Sequence, residues 1–194
     1  MTDEPDYSWL TELQDRVGEW SAENFGTEQP STYPLIGAGE EIGELTTSVL
    51  KQAQGIDDSD KYADRVGPDA ERDAIGDIVI YLLDAAYRSP APTGIASEIE
   101  YWNSQREGLF EHYDDPVGII RQLYIEYGEL NVCAIDTHIE GDDRDHLTAD
   151  LASVIMVCER FARIRGYEFK QCVLDAWNEV SDRNWDSQLE SHGR

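Results

Sequence analysis

The stretch Pro34–Lys51, "PLIGAGEEIGELTTSVLK", decides how the chain is read. Gly37, Gly39 and Gly43 suggest a backbone loop that cradles phosphate, whereas Glu40, Glu41 and Glu44 suggest a helix that holds a metal. A dinucleotide fingerprint follows a strand and spaces its glycines as G-x-G-x-x-G. Here the last interval is one residue too long, no strand pattern precedes it, and two glutamates stand where a pyrophosphate would approach. Leu35, Ile36, Ile42, Leu45, Val49 and Leu50 recur instead at a helical period. The stretch is expected to be a helix whose glycines let neighbouring helices come close.

Working outward, the same period continues. Trp9, Leu10, Leu13, Val17 and Trp20 mark a preceding helix, which Gly26 and Pro30 end. Downstream, the polar run "QGIDDSDKYADRVGP" leads into "DAERDAIGDIVIYLLDAAYR", apolar at Ile75, Ile78, Val79, Leu82 and Leu83. "SPAPTG", Ser89 to Gly94, breaks the pattern with two prolines and a glycine and is the natural linker. Beyond it, four further helices are expected, over Ile95–Phe110, Ile119–Ile135, Leu147–Ile164 and Phe169–Val180. With no hairpin signal anywhere, the chain reads as all-α.

Its 194 residues suffice for one sizeable core or two small halves that share one. The formal charge is 15 − 41 = −26, and Lys51, Lys61 and Lys170 are the only lysines. No basic stripe exists to displace counterions, which excludes a nucleic-acid binder. Charge alone would allow an acidic decoy that mimics nucleic acid. The acid is spread along the chain, which suits concentrated salt, where a Debye length of about 3 Å at 1 M screens self-repulsion. A high-salt cytoplasm is the expected setting. Cys133, Cys158 and Cys172 are odd in number and lack CxxC spacing, so neither a zinc site nor a disulfide framework is indicated. The acidic opening "MTDEPDYSWL" carries no signal-peptide pattern, and no run of 18 apolar residues suggests a membrane span.

The two halves echo each other. "GEEIGEL" (Gly39–Leu45) aligns with "IEYGEL" (Ile125–Leu130), pairing Glu41 with Glu126, Gly43 with Gly128 and Glu44 with Glu129. In each half an apolar helix that begins with acid follows, "DAIGDIVIYLL" from Asp73 and "DLASVIMVCERFA" from Asp150. A tandem duplication divides the chain into residues 1–88, the linker 89–94, and residues 95–194.

Glu41 and Glu44 share a helix face, Glu40 lies on its flank, and Asp73 and Asp77 are four apart on the next helix. If the two helices pack antiparallel, up to five carboxylates converge. Two charges about 5 Å apart repel by about 3 kcal/mol at an effective dielectric near 20, so such a cluster calls for a cation. Oxygen ligands without His or Cys select a hard ion, Mg²⁺ with Mn²⁺ as an alternative. These acids are embedded among Ile42, Leu45, Ile75 and Ile78, where charge without a purpose would be costly. The segment "THIEGDDRDH", with His138, His146, Asp142, Asp143 and Asp145, has no regular ligand spacing and reads as a solvated loop.

These residues carry a resemblance. "PLIGAGEEIGELTTSVLK", a polar loop and "DAIGDIVIYLLDAA" resemble the MazG-like family of all-α nucleoside triphosphate pyrophosphohydrolases, related to dimeric dUTPases and dCTP pyrophosphatases, whose pattern is EExxE on one helix and ExxD on the next. "VGEWSAENFG" and "WNEVSDRNW" are similar to the flanking segments of that family. The resemblance implies a helical bundle built as a pseudo-dimer of two repeats, possible pairing into a homodimer, and Mg²⁺-dependent cleavage of (d)NTP to (d)NMP and pyrophosphate. It implies Glu41, Glu44, Asp77 and the substitute Asp73 as metal ligands, since Ala74 stands where the family has the glutamate of ExxD. Glu40 would orient the attacking water. Asn24 and Phe25 would form the base pocket, Lys51 would contact the triphosphate, and Arg183 with Trp185 would close over it. In the second repeat Glu126, Glu129 and Asp150 are retained, but Ser153 or Val154 replaces the last aspartate, so a weakened site or none is expected there. The competing function is a catalytically weakened bundle that binds nucleotide or a protein partner.

Overall fold

The computed structural model describes residues 6–56, 66–89, 94–105, 114–140 and 144–183. They form seven helices and, among the described residues, no strand: α1 (Ser8–Phe25), α2 (Thr32–Ala53), α3 (Pro68–Arg88), α4 (Ile95–Gln105), α5 (Pro116–Glu140), α6 (Arg144–Arg165) and α7 (Phe169–Ser181). The all-α reading holds. Most of the linker Ser89–Gly94, and Leu109 and Phe110 at the end of the expected fourth helix, lie outside the described residues. The segment "THIEGDDRDH" is helical on both sides of residues 141–143, which are also outside them.

Pro68 opens α3, where its missing N–H costs nothing, and Asp69 and Glu71 place acid in the first turn. Gly166, at φ +75°, turns the chain between α6 and α7, and Glu168 caps α7 by accepting from the Gln171 N–H at 2.8 Å. Helix α3 is the centre of the fold: α1, α2, α6 and α7 all pack on it. Late α2 meets early α3 through Ser48, Gln52 and Glu71, while Gly37 of early α2 lies against Tyr81 of late α3, so the pair is antiparallel. Helix α6 is the corresponding centre for α4 and α5. One apolar cluster draws on all seven helices, from Leu10 and Leu35 through Ile78 and Ile99 to Leu123, Ile155 and Phe169.

Some expectations change. A Cβ at Gly37 would stand 2.5 Å from the Tyr81 ring and one at Gly39 2.5 Å from the Tyr127 hydroxyl, so these two glycines do permit close approach, but Gly43 has open space beside it. Ile36 and Leu50 follow the helical period yet point outward, 70% and 51% exposed. Their face of α2 lies away from α3.

At Gly76 the close approach is to backbone: an added Cβ would lie 2.5 Å from the Cys172 carbonyl oxygen and 2.5 Å from the Ala176 Cβ. A backbone atom cannot swing aside, so α7 itself must move. Gly76→Ala is expected to cost about 1–3 kcal/mol, read as a lower thermal midpoint in molar KCl; an unchanged midpoint would mean that α7 is not seated this closely.

Candidate functional site

Four helices converge on a cavity of about 180 Å³. Helix α1 contributes Val17, Trp20, Ser21 and Phe25, and α3 contributes Asp77, Ile80, Tyr81 and Asp84, each set spaced so that it lies along one helix face. Helix α2 adds Glu41, α7 adds Val180, and Arg183 joins from just past the end of α7. Trp20 makes an edge contact with Phe25 at 5.8 Å between centroids and another with Trp177 at 6.2 Å. Its indole N–H donates to the Arg183 carbonyl at 3.2 Å, tying α1 to the end of α7.

One wall is a hydrogen-bonded clamp. The Ser21 hydroxyl donates to Asp84 at 2.8 Å, Arg88 donates to the other Asp84 oxygen at 2.9 Å and to Ser21 Oγ at 2.6 Å, and it reaches the carbonyls of Gly26 and Gln29, both at 3.2 Å. Burial pushes the Asp84 carboxyl up, against the hydrogen bond from Ser21 and the nearby Arg88 charge. With its partners satisfied, this acid is a structural anchor for the α1–α2 turn.

The opposite wall is acidic. Burial, reinforced by the charges of Asp77, Glu44, Glu40 and Asp73 in that order, pushes Glu41 up to about 8. Burial and the charge of Asp73 are the leading reasons that Asp77 is pushed up to about 7, with Glu179 adding to the effect and Arg183 opposing it. Asp73 is also raised, by burial and then by Glu179. The tyrosine hydroxyl of Tyr81 is raised by burial and by the same carboxylates. Glu40 and Glu44 are exposed on α2 and do not line the cavity, but their charge reaches Glu41.

The donor chemistry, oxygen throughout, suits a hard divalent cation. Among the described residues, however, no three His, Cys, Asp or Glu side chains are gathered at metal-holding positions. The carboxylates face one region without closing into a cage.

The other expected site residues divide. Phe25 and Arg183 line the cavity, and Arg183, just past the end of α7, forms an ion pair with Glu179 in that helix. Asn24 is buried and donates to the Trp20 carbonyl at 2.9 Å, so it supports α1 and is not part of the cavity wall. Lys51 sits in the last turn of α2, away from the lining, and Trp185 lies outside the described residues. In the second half Glu126 accepts from Gln122 on its own helix, whereas Glu129 and Asp150 line a separate, larger groove.

Reading the sequence missed Trp20, Tyr81, Asp84 and Glu179. Tyr81 and Asp84 stand four and seven residues after Asp77, so the helical period could have found them. Nothing local marks Glu179, because its place depends on α7 crossing back to α3. Comparison with family models, with curated proteins and with solved structures found no match.

A pH dependence follows. Glu41 is favoured in its protonated form in the folded chain, about 8 against an ordinary 4.5. Its contribution to stability is therefore full below about pH 4.5 and is lost as pH rises through about 8, where the fold must bear the charge. In EDTA and molar KCl, Glu41→Gln is expected to melt a few degrees above wild type at pH 8.5, with the difference shrinking towards pH 5. Parallel melting curves would contradict this.

Proposed function

We propose that the chain is a Mg²⁺-dependent nucleoside triphosphate pyrophosphohydrolase, cleaving (d)NTP to (d)NMP and pyrophosphate, built as two MazG-like repeats in tandem. The observation that carries the reading is the meeting of Glu41 and Asp77 with Trp20 and Phe25 around one cavity. The carboxylates come from the EExxE-like and ExxD-like segments, and the aromatics come from the upstream flank.

The cavity is below the about 300–1,000 Å³ of sites that engulf a whole ligand. It suits a single ring, such as a nucleobase, set against Trp20 and Phe25, with the triphosphate lying outwards along α2. Glu41, Glu44, Asp73 and Asp77 would hold Mg²⁺, which supplies neutralisation of phosphate charge and activation of water when bound. Glu179 faces Asp73 and Asp77 from α7 and takes up the role that Ala74 cannot fill. Arg183, just beyond the end of α7, would offer a cation to the phosphates. Glu40, exposed beside Glu41, would orient the attacking water.

The high-salt setting belongs to the same reading, since a net charge of −26 is best tolerated where it is screened. Pairing into a homodimer is a further part of it. No described helix is long and apolar enough to cross a membrane. A second reading, a weakened bundle that binds nucleotide or a protein partner, is favoured by Ala74 and by the loss of the final aspartate in the second repeat. The test is pyrophosphate release from a panel of NTPs and dNTPs in molar KCl with Mg²⁺. Turnover supports the enzyme; saturable nucleotide binding without turnover, unaffected by Glu41→Gln, supports the second reading.

A further inference from the structure

The cavity between α1 and α3 has two unlike ends. Asp77 and Asp84 both line it and stand seven residues apart on α3, roughly 10 Å along the helix axis. The free donors among the described lining residues gather at the Asp77 end. The Tyr81 hydroxyl is pushed up by burial and then by Glu41, Asp77 and Glu40, with Arg183 opposing them, so hydroxyl and guanidinium both lie within reach of those acids. The Trp20 N–H is already taken by the Arg183 carbonyl.

At the Asp84 end the polar wall only accepts. Asp84 receives one hydrogen bond on each oxygen, from Ser21 at 2.8 Å and from Arg88 at 2.9 Å, and the ion pair with Arg88 keeps it a carboxylate. Since each carboxylate oxygen has two lone pairs, anchoring the α1–α2 turn leaves one unused on each. The Ser21 proton is spent on Asp84, while its oxygen accepts from Arg88 at 2.6 Å and retains a second lone pair. Arg88 is directed to Asp84, Ser21 and the carbonyls of Gly26 and Gln29, and it does not line the cavity. A ligand that enters this end with an acceptor in front meets acceptors; one that enters with an N–H in front finds partners.

Resting on the reading that this cavity holds the base of a nucleotide, we propose that it selects cytosine over uracil and thymine, with Asp84 accepting from the exocyclic amino group. With the phosphates at Glu41 and Asp77, the substituent at C4 of a pyrimidine leads into the cavity, because it lies across the ring from the N1 that carries the sugar. In cytosine that substituent is an amino group with two N–H donors. In uracil and thymine it is a carbonyl oxygen, which would face a carboxylate with no proton between them. A site built to receive an N–H rejects an analogue without one strongly, because its own buried polar group is then left unpaired. The single-ring size of the cavity, about 180 Å³, places cytosine ahead of adenine as well.

The test compares kcat/KM for pyrophosphate release in molar KCl with Mg²⁺ from dCTP, dUTP, dTTP, dATP and the 2-pyrimidinone deoxynucleoside triphosphate, in which hydrogen replaces the amino group. Beside it, deoxycytidine and deoxyuridine, which carry no phosphate and need no metal, are titrated calorimetrically into the full chain in EDTA. dCTP is expected to exceed each of the other substrates by at least about a hundredfold. Asp84→Asn, whose amide can donate to a carbonyl, is expected to narrow the ratio of dCTP to dUTP to within about tenfold, whereas a purely structural loss would lower both alike. The 2-pyrimidinone comparison uses the wild-type chain and does not depend on the variant folding. Equal release from dCTP and any of the others, or a preference that folded Asp84→Asn keeps, overturns the inference and leaves the enzymatic reading standing. Preferential binding of deoxycytidine by a chain that releases no pyrophosphate removes the enzymatic reading and leaves this one standing. Neither binding nor release removes both.

Discussion

Glu41→Gln is expected to lower pyrophosphate release by at least about a hundredfold, on the scale of losing a group that acts in the transition state, while Glu126→Gln leaves it nearly unchanged. The asymmetry follows from position. Glu41 lines the cavity with Asp77, and burial with four neighbouring acids holds it at the edge of ionisation, which a bound cation would relieve. Glu126 is occupied by Gln122 and is not among the residues lining either the cavity or the groove. Because Glu41→Gln is also expected to be the more stable protein at pH 8.5 without metal, loss of activity there would not be loss of fold. Equal damage from both substitutions would place the chemistry across the two halves of the chain and contradict the assignment to α2 and α3.

The second large effect concerns stability. Glu71→Ala is expected to cost about 3 kcal/mol or more, as breaking a buried ion pair does, and to lower the thermal midpoint by roughly 10 °C for a chain of this size. Glu71 is 0% exposed. One of its oxygens accepts from Gln52 at 2.6 Å, Arg165 at 2.7 Å and Ser48 at 3.3 Å, and the other accepts from the Tyr167 hydroxyl at 2.7 Å. Removing the carboxylate strands a guanidinium and three polar groups where α2, α3 and α6 meet. Glu71→Gln, which retains acceptor capacity but loses the charge, is expected to cost less. A midpoint within a degree or two of wild type for Glu71→Ala would mean that water replaces the carboxylate without penalty.

The helices were readable because each buries a stripe at period 3.6, and Leu10, Leu13 and Val17 or Ile75, Ile78 and Leu82 announce it directly. Period alone does not say which apolar face finds a partner. Ile36, Leu50 and Val132 keep the period and remain exposed, and that distinction belongs to packing. The pairing of Glu41 with Asp77 was readable from the short polar connection between two helices. The seat of α7 was not, because it depends on a return from α6 to α3 that leaves no local mark except a glycine at position 76. Glu71 was passed over for a related reason: a buried acid looks like any other acid in a charged sequence until its partners, Arg165 and Tyr167, arrive from nearly a hundred residues away.

The most direct test of the central claim is phosphorus NMR of a dNTP incubated with wild-type protein in molar KCl and Mg²⁺. The expected products are nucleoside monophosphate and pyrophosphate in equal amounts, from cleavage between the α- and β-phosphates. An unchanged triphosphate across the common and modified nucleotides, or diphosphate with orthophosphate in place of pyrophosphate, would contradict it.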